Sequence, residues 1–286
     1  AAIVAATPVV PAAQREMRER HVLVGATRDG QVPVTDLVPA DFTVREDGIA
    51  REVLRVEAAP PPSHIALLVD DSGVTQPLVS DLRAGFTSFV RGMTGLTPEP
   101  LMALSTFGER PTPVVAYAID PAMVLAGIGR LFSRPGSGAH LLDAILDETG
   151  RLKKLQAPWP VIVAFVAEEG PEFSGSTNKR VADALKDAGA SLWTVTLQAR
   201  NPDTTSSEAR ERAAVLTDVA RASGGDSRSI LSRQAIDPTL GRLAAQLLSR
   251  YDVVYSRPDA LVPPSRLQVE VKRGGVRLTA PTWTGR

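Results

Sequence analysis

The chain has 286 residues, 43% hydrophobic and 22% charged, which are the proportions of an ordinary globular protein with room for a sizeable core. Its 32 basic and 32 acidic residues give a formal net charge of zero, so no overall field attracts nucleic acid or an anionic membrane. Cysteine is absent, which excludes disulfides, thiol catalysis and thiolate metal sites. The longest apolar runs, such as Val161 to Ala167, fall far short of the roughly 20 residues that span a bilayer.

The N-terminal sequence AAIVAATPVVPAAQ is made of small and apolar residues with prolines. This composition resembles the end of a secretory signal region or the start of a tether. It predicts a flexible segment over residues 1–15 of an exported protein, periplasmic or extracellular. The alternative is a disordered tail that carries no targeting message.

The next stretch, residues 16–60, has the alternating pattern of β-strands. Turn residues at Arg28 to Gly30 and at Glu46 to Gly48 divide it into two predicted hairpins. Three prolines and a serine follow, at Pro60 to Ser63, and they permit neither helix nor strand pairing. We place a domain boundary there.

Beyond this connector, apolar strands alternate with amphipathic helices. The run HIALLVD at residues 64–70 predicts a buried strand. The helix after it has an apolar face that repeats every three or four residues, formed by Leu78, Leu82, Phe86, Phe89 and Met93. Further strands are predicted over residues 101–107, 114–119, 161–167 and 192–197, and further helices over residues 121–132, 141–155, 177–188, 209–222 and 238–251. This order predicts a doubly wound, Rossmann-like α/β domain over residues 61–251, with a mostly parallel sheet.

After Tyr251 the β pattern returns, in DVVYS, LQVEVKR and VRLTAP, with a turn at Gly274 and Gly275. These strands are too few to be stable alone, and so are the N-terminal hairpins. We therefore expect residues 16–60 and 252–286 to form one small discontinuous β-sandwich into which the α/β domain is inserted.

Ligands of open α/β sheets bind at the carboxyl ends of the strands, which here carry polar side chains on three loops. The candidate ligand-binding residues are Asp70, Asp71, Ser72, Ser137, His140, Glu168 and Glu169. Carboxylates and hydroxyls that converge from three loops are suited to Mg²⁺, Mn²⁺ or Ca²⁺.

The order LLVDDSG, helix, LMALSTFGER, a glycine-serine loop before LLDAI, VIVAFVAEEG, SLWTVTL and RYDVVYS resembles the von Willebrand factor type A (VWA) domain. The flanking VTDLVPADFTVREDG and LQVEVKRGGVRL resemble the β portion of a bacterial exported subfamily of that domain. The likeness runs from about Val22 to Pro281. It implies a protein-binding module with a metal-ion-dependent adhesion site.

That family's adhesion site uses Asp-x-Ser-x-Ser, a later Thr and a distal Asp. Asp70 and Ser72 match the first two positions, whereas Val74 stands at the second Ser. The Thr position falls on Ala139, with Ser137 nearby, and the distal Asp position falls on Glu168 or Glu169. The resemblance therefore implies a degenerate site with a weakly bound cation or none.

We expect a non-catalytic adhesion or scaffold module that binds another protein with its carboxyl-end loops, with no tightly bound cofactor. The alternative is a metal-dependent adhesion protein whose cation lies at Asp70, Ser72 and Glu168. A structural interpretation also stays open, in which Asp70 and Asp71 only cap the next helix and the two glutamates form an exposed turn. The sequence leaves the oligomeric state and the identity of the partner open.

Enzymatic functions are weakly supported by the motifs. Ser137 lies in Pro-Gly-Ser-Gly, which is not the Gly-x-Ser-x-Gly of a hydrolase, and a phosphatase using Asp70 would need Asp where Ser72 stands. Nucleotide-binding glycine motifs are absent from the sequence. A hydrolase or phosphatase built on Asp70 is the least favoured alternative.

Overall fold

The protein is described here from a computed structural model, for residues 17–203, 205–259 and 264–283. The predicted N-terminal segment, residues 1–15, lies outside the described residues. Among the helices of these residues, none has the length and apolar character needed to cross a membrane.

The chain begins and ends with β-structure and has alternating strands and helices between. The strands are β1 (Met17–Arg28), β2 (Val32–Pro33), β3 (Phe42–Glu46), β4 (Ile49–Arg51), β5 (Val53–Ala58), β6 (His64–Val69), β7 (Leu101–Thr106), β8 (Thr112–Ala118), β9 (Val161–Ala167), β10 (Ser191–Leu197), β11 (Ser227–Ile230), β12 (Tyr251–Pro258), β13 (Leu267–Val271) and β14 (Val276–Thr279). The α-helices are α1 (Val79–Gly92), α2 (Pro121–Gly129), α3 (Leu141–Lys154), α4 (Asn178–Ala188), α5 (Ser207–Ala214), α6 (Ala220–Ala222) and α7 (Ile236–Leu248).

The central sheet has the strand order β11-β10-β9-β6-β7-β8. Its neighbouring strands are parallel except for β7 and β8, which are antiparallel. Alternate side chains of each strand belong to different cores: Ile65 and Leu67 pack with α1, α2 and α7, whereas Ala66 and Leu68 pack with α3, α4 and the α5–α6 region. Because apolar side chains project from both faces of the sheet, both faces must be covered, and helices cover them. The predicted doubly wound α/β architecture is confirmed.

The two ends of the chain pair with each other in a separate β-sandwich. One sheet has the order β14-β1-β12-β5, with β2 paired to β1, and the other has the order β13-β3-β4. Strand β12 pairs with both β1 and β5, so the C-terminal segment completes the sheet begun by the N-terminal one. A third core that includes Val24, Phe42, Val253 and Tyr255 fills the space between the sheets. The predicted domain boundaries at residues 60 and 252 stay predictions.

Both predicted hairpin turns are present. Asp29, Gly30 and Gln31 connect β1 to β2, Asp47 and Gly48 connect β3 to β4, and both Asp-Gly pairs have positive φ. A two-residue turn with positive φ at both positions matches the twist of the strands, and Asp-Gly tolerates it well.

The structure differs from the predicted elements in several places. The predicted helix over residues 238–251 corresponds to α7, which ends at Leu248, and Tyr251 instead begins strand β12. The predicted helix over residues 209–222 is interrupted by a π-helical segment, Val215–Val219, between α5 and α6. Helix α2 ends at Gly129 rather than at residue 132, because Arg130 and Leu131 close the helix with i to i+3 hydrogen bonds. Strand β11 was not predicted. Its sequence, Ser-Arg-Ser-Ile, lacks an apolar run, since it is an edge strand of the sheet.

Candidate functional site

The predicted site residues lie together at the edge of the central sheet where the parallel strands β6, β7, β9, β10 and β11 end, called here the carboxyl edge. They belong to three segments that meet there: the loop after β6, the loop between α2 and α3 (residues 130–140) and the loop after β9. The amide of Gly73 donates to Ser137 O at 3.2 Å, and the amide of Ala139 donates to Pro171 O at 2.8 Å. The loops are therefore bonded to one another through their backbones.

Asp70 is completely buried beneath this edge rather than exposed on it. Its Oδ1 accepts a hydrogen bond from the Ser72 amide at 2.9 Å, and its Oδ2 accepts one from the Ala167 amide at 3.0 Å. Burial raises the pKa of this carboxyl group, and the Ser72 side chain together with the amides of Ala167 and Ser72 partly opposes the shift. Asp70 thus joins the loop after β6 to the end of β9.

Asp71 is also buried, and it is paired with an arginine. Its Oδ1 accepts from the Gly108 amide at 2.5 Å, and its Oδ2 accepts from Arg134 Nε at 2.9 Å. Gly108 must be glycine for this contact, because a Cβ there would lie 2.6 Å from the Ser72 backbone nitrogen. The Asp71 carboxylate therefore fastens two loops to the end of β6.

Ser72 is buried, and its Oγ is near enough to the Asp70 carboxyl group to lower the pKa of that group, although it makes no well-formed hydrogen bond with any described residue. Gly170 packs beside it, since a Cβ built on Gly170 would lie 3.4 Å from that oxygen. Val74 is half-buried and packs on the α1 side of the sheet, and Ala139 is buried on the α3 side. Of the predicted ligand positions that the structure describes, Ser72 alone offers a buried side-chain oxygen that makes no well-formed hydrogen bond.

The remaining predicted residues are divided between structural and exposed positions. Ser137 Oγ donates to Arg134 O at 2.8 Å, within its own loop. His140 precedes α3, with its Nδ1 3.8 Å from Asp143 Oδ2 and its ring 6.1 Å from that of Phe173. Glu168 Oε2 accepts from the Ala199 amide at 3.0 Å, toward the loop after β10, whereas Glu169 is exposed.

Exposed apolar side chains also lie at the carboxyl edge. Phe132 is 57% exposed and lies below the Arg134 guanidinium, whose carbon is 5.1 Å from the ring centre. Phe173 is 56% exposed, and its ring covers Gly138, where a Cβ would lie 2.4 Å from it. Leu231, directly after β11, is 85% exposed. The edge thus combines apolar groups with charged ones.

No model of a known protein family matches the sequence, and no curated protein matches it significantly. The fold, in contrast, is similar to solved structures. A von Willebrand factor type A protein from Catenulispora acidiphila is 15% identical with a TM-score of 0.51, and the match covers 85% of this chain and 73% of that one. The chain has a VWA-like fold.

Two further structures share that VWA-like fold at low identity. The pilus adhesin SpaC from Lactobacillus rhamnosus GG is 12% identical with a TM-score of 0.51, and the match covers 86% of this chain and 47% of SpaC. Proximal thread matrix protein 1 from the mussel byssus is 12% identical with a TM-score of 0.52, and the match covers 67% of this chain and 49% of that protein.

The residues at the carboxyl edge do not fit the cation that the VWA resemblance implies. Both carboxylates that follow β6 are occupied by amides and by a guanidinium, and Val74 and Ala139 have no side-chain oxygen. A hard divalent cation needs six or more oxygens in an open arrangement. Among the described residues, no group of three or more carboxylates and histidines is close enough to hold a metal ion.

Three residues that organise the carboxyl edge of this VWA-like domain were not among the predicted site residues. Arg134 is one. Arg212 on α5 is buried and donates to Gly170 O at 2.7 Å and to Glu168 O at 3.0 Å, which fixes the loop after β9. Glu172 is buried and accepts from the Leu141 amide at 3.1 Å. The available signals in the sequence were Arg134 within a Gly-Pro loop and Arg212 on an apolar helix face. Neither signal indicates the partner of the arginine.

Proposed function

We propose that this chain is a non-catalytic protein-binding module whose partner contacts the carboxyl edge of the central sheet. The observation that carries this proposal is the exposure of Phe132, Phe173 and Leu231 on three connections that end at one edge. Aromatic side chains and arginine are enriched in protein interfaces, and exposed apolar side chains that gather in one region mark interaction sites, whereas scattered ones do not. Arg134, half-buried between Phe132 and Asp71, adds the charged element of such a surface.

The buried carboxylates support a structural role for Asp70 and Asp71 rather than a catalytic one. Asp70 has no exposed surface and accepts two backbone hydrogen bonds, so it has no route to a substrate. Ser137 donates its proton to a carbonyl within its own loop, which is unlike an activated nucleophile. We propose that these groups hold the loops in one arrangement, which reduces the entropy lost when a partner binds.

We further propose that binding needs no metal ion and that the protein is exported. Metal independence is supported by the occupied carboxylates at Asp70 and Asp71. Export is supported by the composition of residues 1–14 and by the likeness to SpaC, a pilus adhesin, and to a matrix protein of the mussel byssus. The partner is a protein, since the net charge of zero favours no nucleic acid.

Position-specific photo-crosslinking tests the proposed surface. A photoreactive phenylalanine at position 132 is compared with one at position 123 in extracts of the source cells. Met123 is a matched control because it is 55% exposed but lies in the first turn of α2, at the opposite edge of the sheet. We expect one discrete protein adduct at position 132, weakened by Phe173→Ala, and none at position 123. Equal adducts at both positions, or adducts at 123 alone, would refute the proposed surface.

A further inference from the structure

We propose that the guanidinium of Arg134 is the resident cation of the carboxyl edge. It balances the charge of Asp71 and holds the α2–α3 loop against the loop after β6, where the VWA resemblance implies a metal ion. This inference rests on the proposed function because it concerns the same edge, but its test requires no partner.

Arg134 is bound to Asp71 at two points. Its Nε donates to Asp71 Oδ2 at 2.9 Å, and its backbone amide donates to Asp71 O at 2.7 Å. The Asp71 side chain is 5% exposed, and its other oxygen accepts from the Gly108 amide at 2.5 Å. Nearly removed from water, this carboxylate depends on protein donors, and Arg134 supplies the only cationic one among the described residues.

Two further groups hold the guanidinium in position. The Phe132 ring lies 5.1 Å from its central carbon, within the range of a cation–π interaction. Glu109 Oε2 lies 3.5 Å from Nη1, on the solvent side. Because arginine stays protonated at any physiological pH, this positive charge is permanent, unlike that of an exchangeable metal ion.

The same loop is also bonded through its backbone. Ser133 Oγ donates to Ser72 O at 2.8 Å, and Ser137 O accepts from the Gly73 amide. A divalent cation near Asp71 would therefore be repelled by the Arg134 guanidinium, and the α2–α3 loop would restrict its access to the carboxylate. The oxygens nearest to this loop are Ser72 Oγ and the Asp70 carboxylate, and we infer that a cation can use them only after that positive charge is removed.

Cation titration of the full chain tests the proposal, with Mn²⁺ as the probe and calorimetry as the measurement. We expect the binding of Mn²⁺ to the unsubstituted protein not to saturate. For Arg134→Ala we expect saturable binding, with an apparent dissociation constant for Mn²⁺ at least about tenfold lower than that of the unsubstituted protein. The gain should disappear in Arg134→Ala/Asp71→Asn, and Arg134→Lys, which keeps the charge, should not show it. Saturable Mn²⁺ binding by the unsubstituted protein, or no gain in Arg134→Ala, would overturn the proposal.

Thermal unfolding in chelator keeps the proposal testable if Arg134→Ala folds poorly. We expect Arg134→Ala to lower the melting temperature and Arg134→Ala/Asp71→Asn to recover most of the loss, because the buried carboxylate no longer needs a counter-charge. A double variant as unstable as Arg134→Ala would show that Arg134 acts by packing alone and would also overturn the proposal. Neither result depends on a partner, so a failure here is distinct from a failure to find cross-links at position 132.

Discussion

The side chain of Glu172 caps helix α3 from a different loop: its Oε1 accepts a hydrogen bond from the Leu141 amide at 3.1 Å. The same oxygen accepts from the Ser174 amide at 3.2 Å, while Oε2 is buried without a hydrogen-bond partner among the described residues. Burial raises the pKa of Glu172 to about 7, and Ser174, Arg212 and the Leu141 amide partly oppose the shift. A carboxylate near a helix N-terminus is stabilised by the helix dipole, but here the cost of burying the charged form is larger than that gain.

We expect the stability of the protein to fall as pH rises from about 4.5 to about 7 because of Glu172. The folded state holds the proton more tightly than the unfolded state, so this contribution is complete below the unfolded pKa and lost through the folded one. At about 1.4 kcal/mol per pKa unit, the loss is at most about 3.5 kcal/mol. Urea unfolding of Glu172→Gln should show a flatter pH profile and higher stability than the unsubstituted protein at pH values above about 7.

Asp203 is the control for that measurement, because it is exposed and its pKa is lowered by hydrogen bonds from Ser206 and Thr205. Asp203→Asn should leave the slope between the two pKa values of Glu172 unchanged. If the slope of stability against pH is also unchanged in Glu172→Gln, Glu172 is not the group that causes the pH dependence.

Gly108→Ala should destabilise the protein by about 1–3 kcal/mol, the usual cost of forcing extra atoms into a packed site. The added Cβ would lie 2.6 Å from Ser72 N and 2.7 Å from Asp71 Oδ1, so the backbone must move and the Asp71 hydrogen bond must weaken. Gly150→Ala is the matched control. It lies in α3 with no atom within 4 Å of the new Cβ, and it should stabilise the protein by about 0.5–1 kcal/mol.

Chemical denaturation of both variants measures these effects. If Gly108→Ala is as stable as the unsubstituted protein, the loop after β7 tolerates displacement, and the proposed fixed arrangement of the edge is wrong.

Arg228→Ala should loosen the connection between the β-sandwich and the α/β part. Arg228 Nη2 donates to Gly30 O at 2.8 Å in the β1–β2 turn and to Gln246 Oε1 at 2.8 Å on α7. Loss of hydrogen bonds to a charged donor costs about 1.5–3 kcal/mol. In Arg228→Ala, hydrogen exchange at the Gln31 amide, which bonds to Arg28 O, should be faster than in Arg242→Ala. Arg242 is a suitable control because it is an exposed arginine on α7, the helix that carries Gln246. Equal exchange in the two variants would show that the turn is held by other contacts.

Most of the fold could be predicted from the sequence because local patterns carry it. The run Val161 to Ala167 is buried on both sides, and the α1 face repeats at the helical period, so each element is defined by its own residues. The Asp-Gly turns at residues 29–30 and 47–48 likewise have a local backbone requirement. Strand β11 has no such pattern, since it is polar and is stabilised by pairing with β10.

The site was predicted less completely, because burial and pairing are properties of the assembled loops. The sequence correctly indicated which loops meet, since parallel strands end at one edge. It could not show that Asp70 is directed inward at the Ala167 amide, 97 positions away, or that Arg134 pairs with Asp71, 63 positions away. Pairings over such separations have no periodic signal.

We propose that the carboxyl edge binds its protein partner without a metal ion. Calorimetric titration of the partner identified by cross-linking at position 132, first in chelator and then in millimolar Mg²⁺, tests this most directly. We predict dissociation constants that agree within about twofold, which corresponds to less than about 0.5 kcal/mol. Binding that is lost in chelator and restored by Mg²⁺ would contradict the claim.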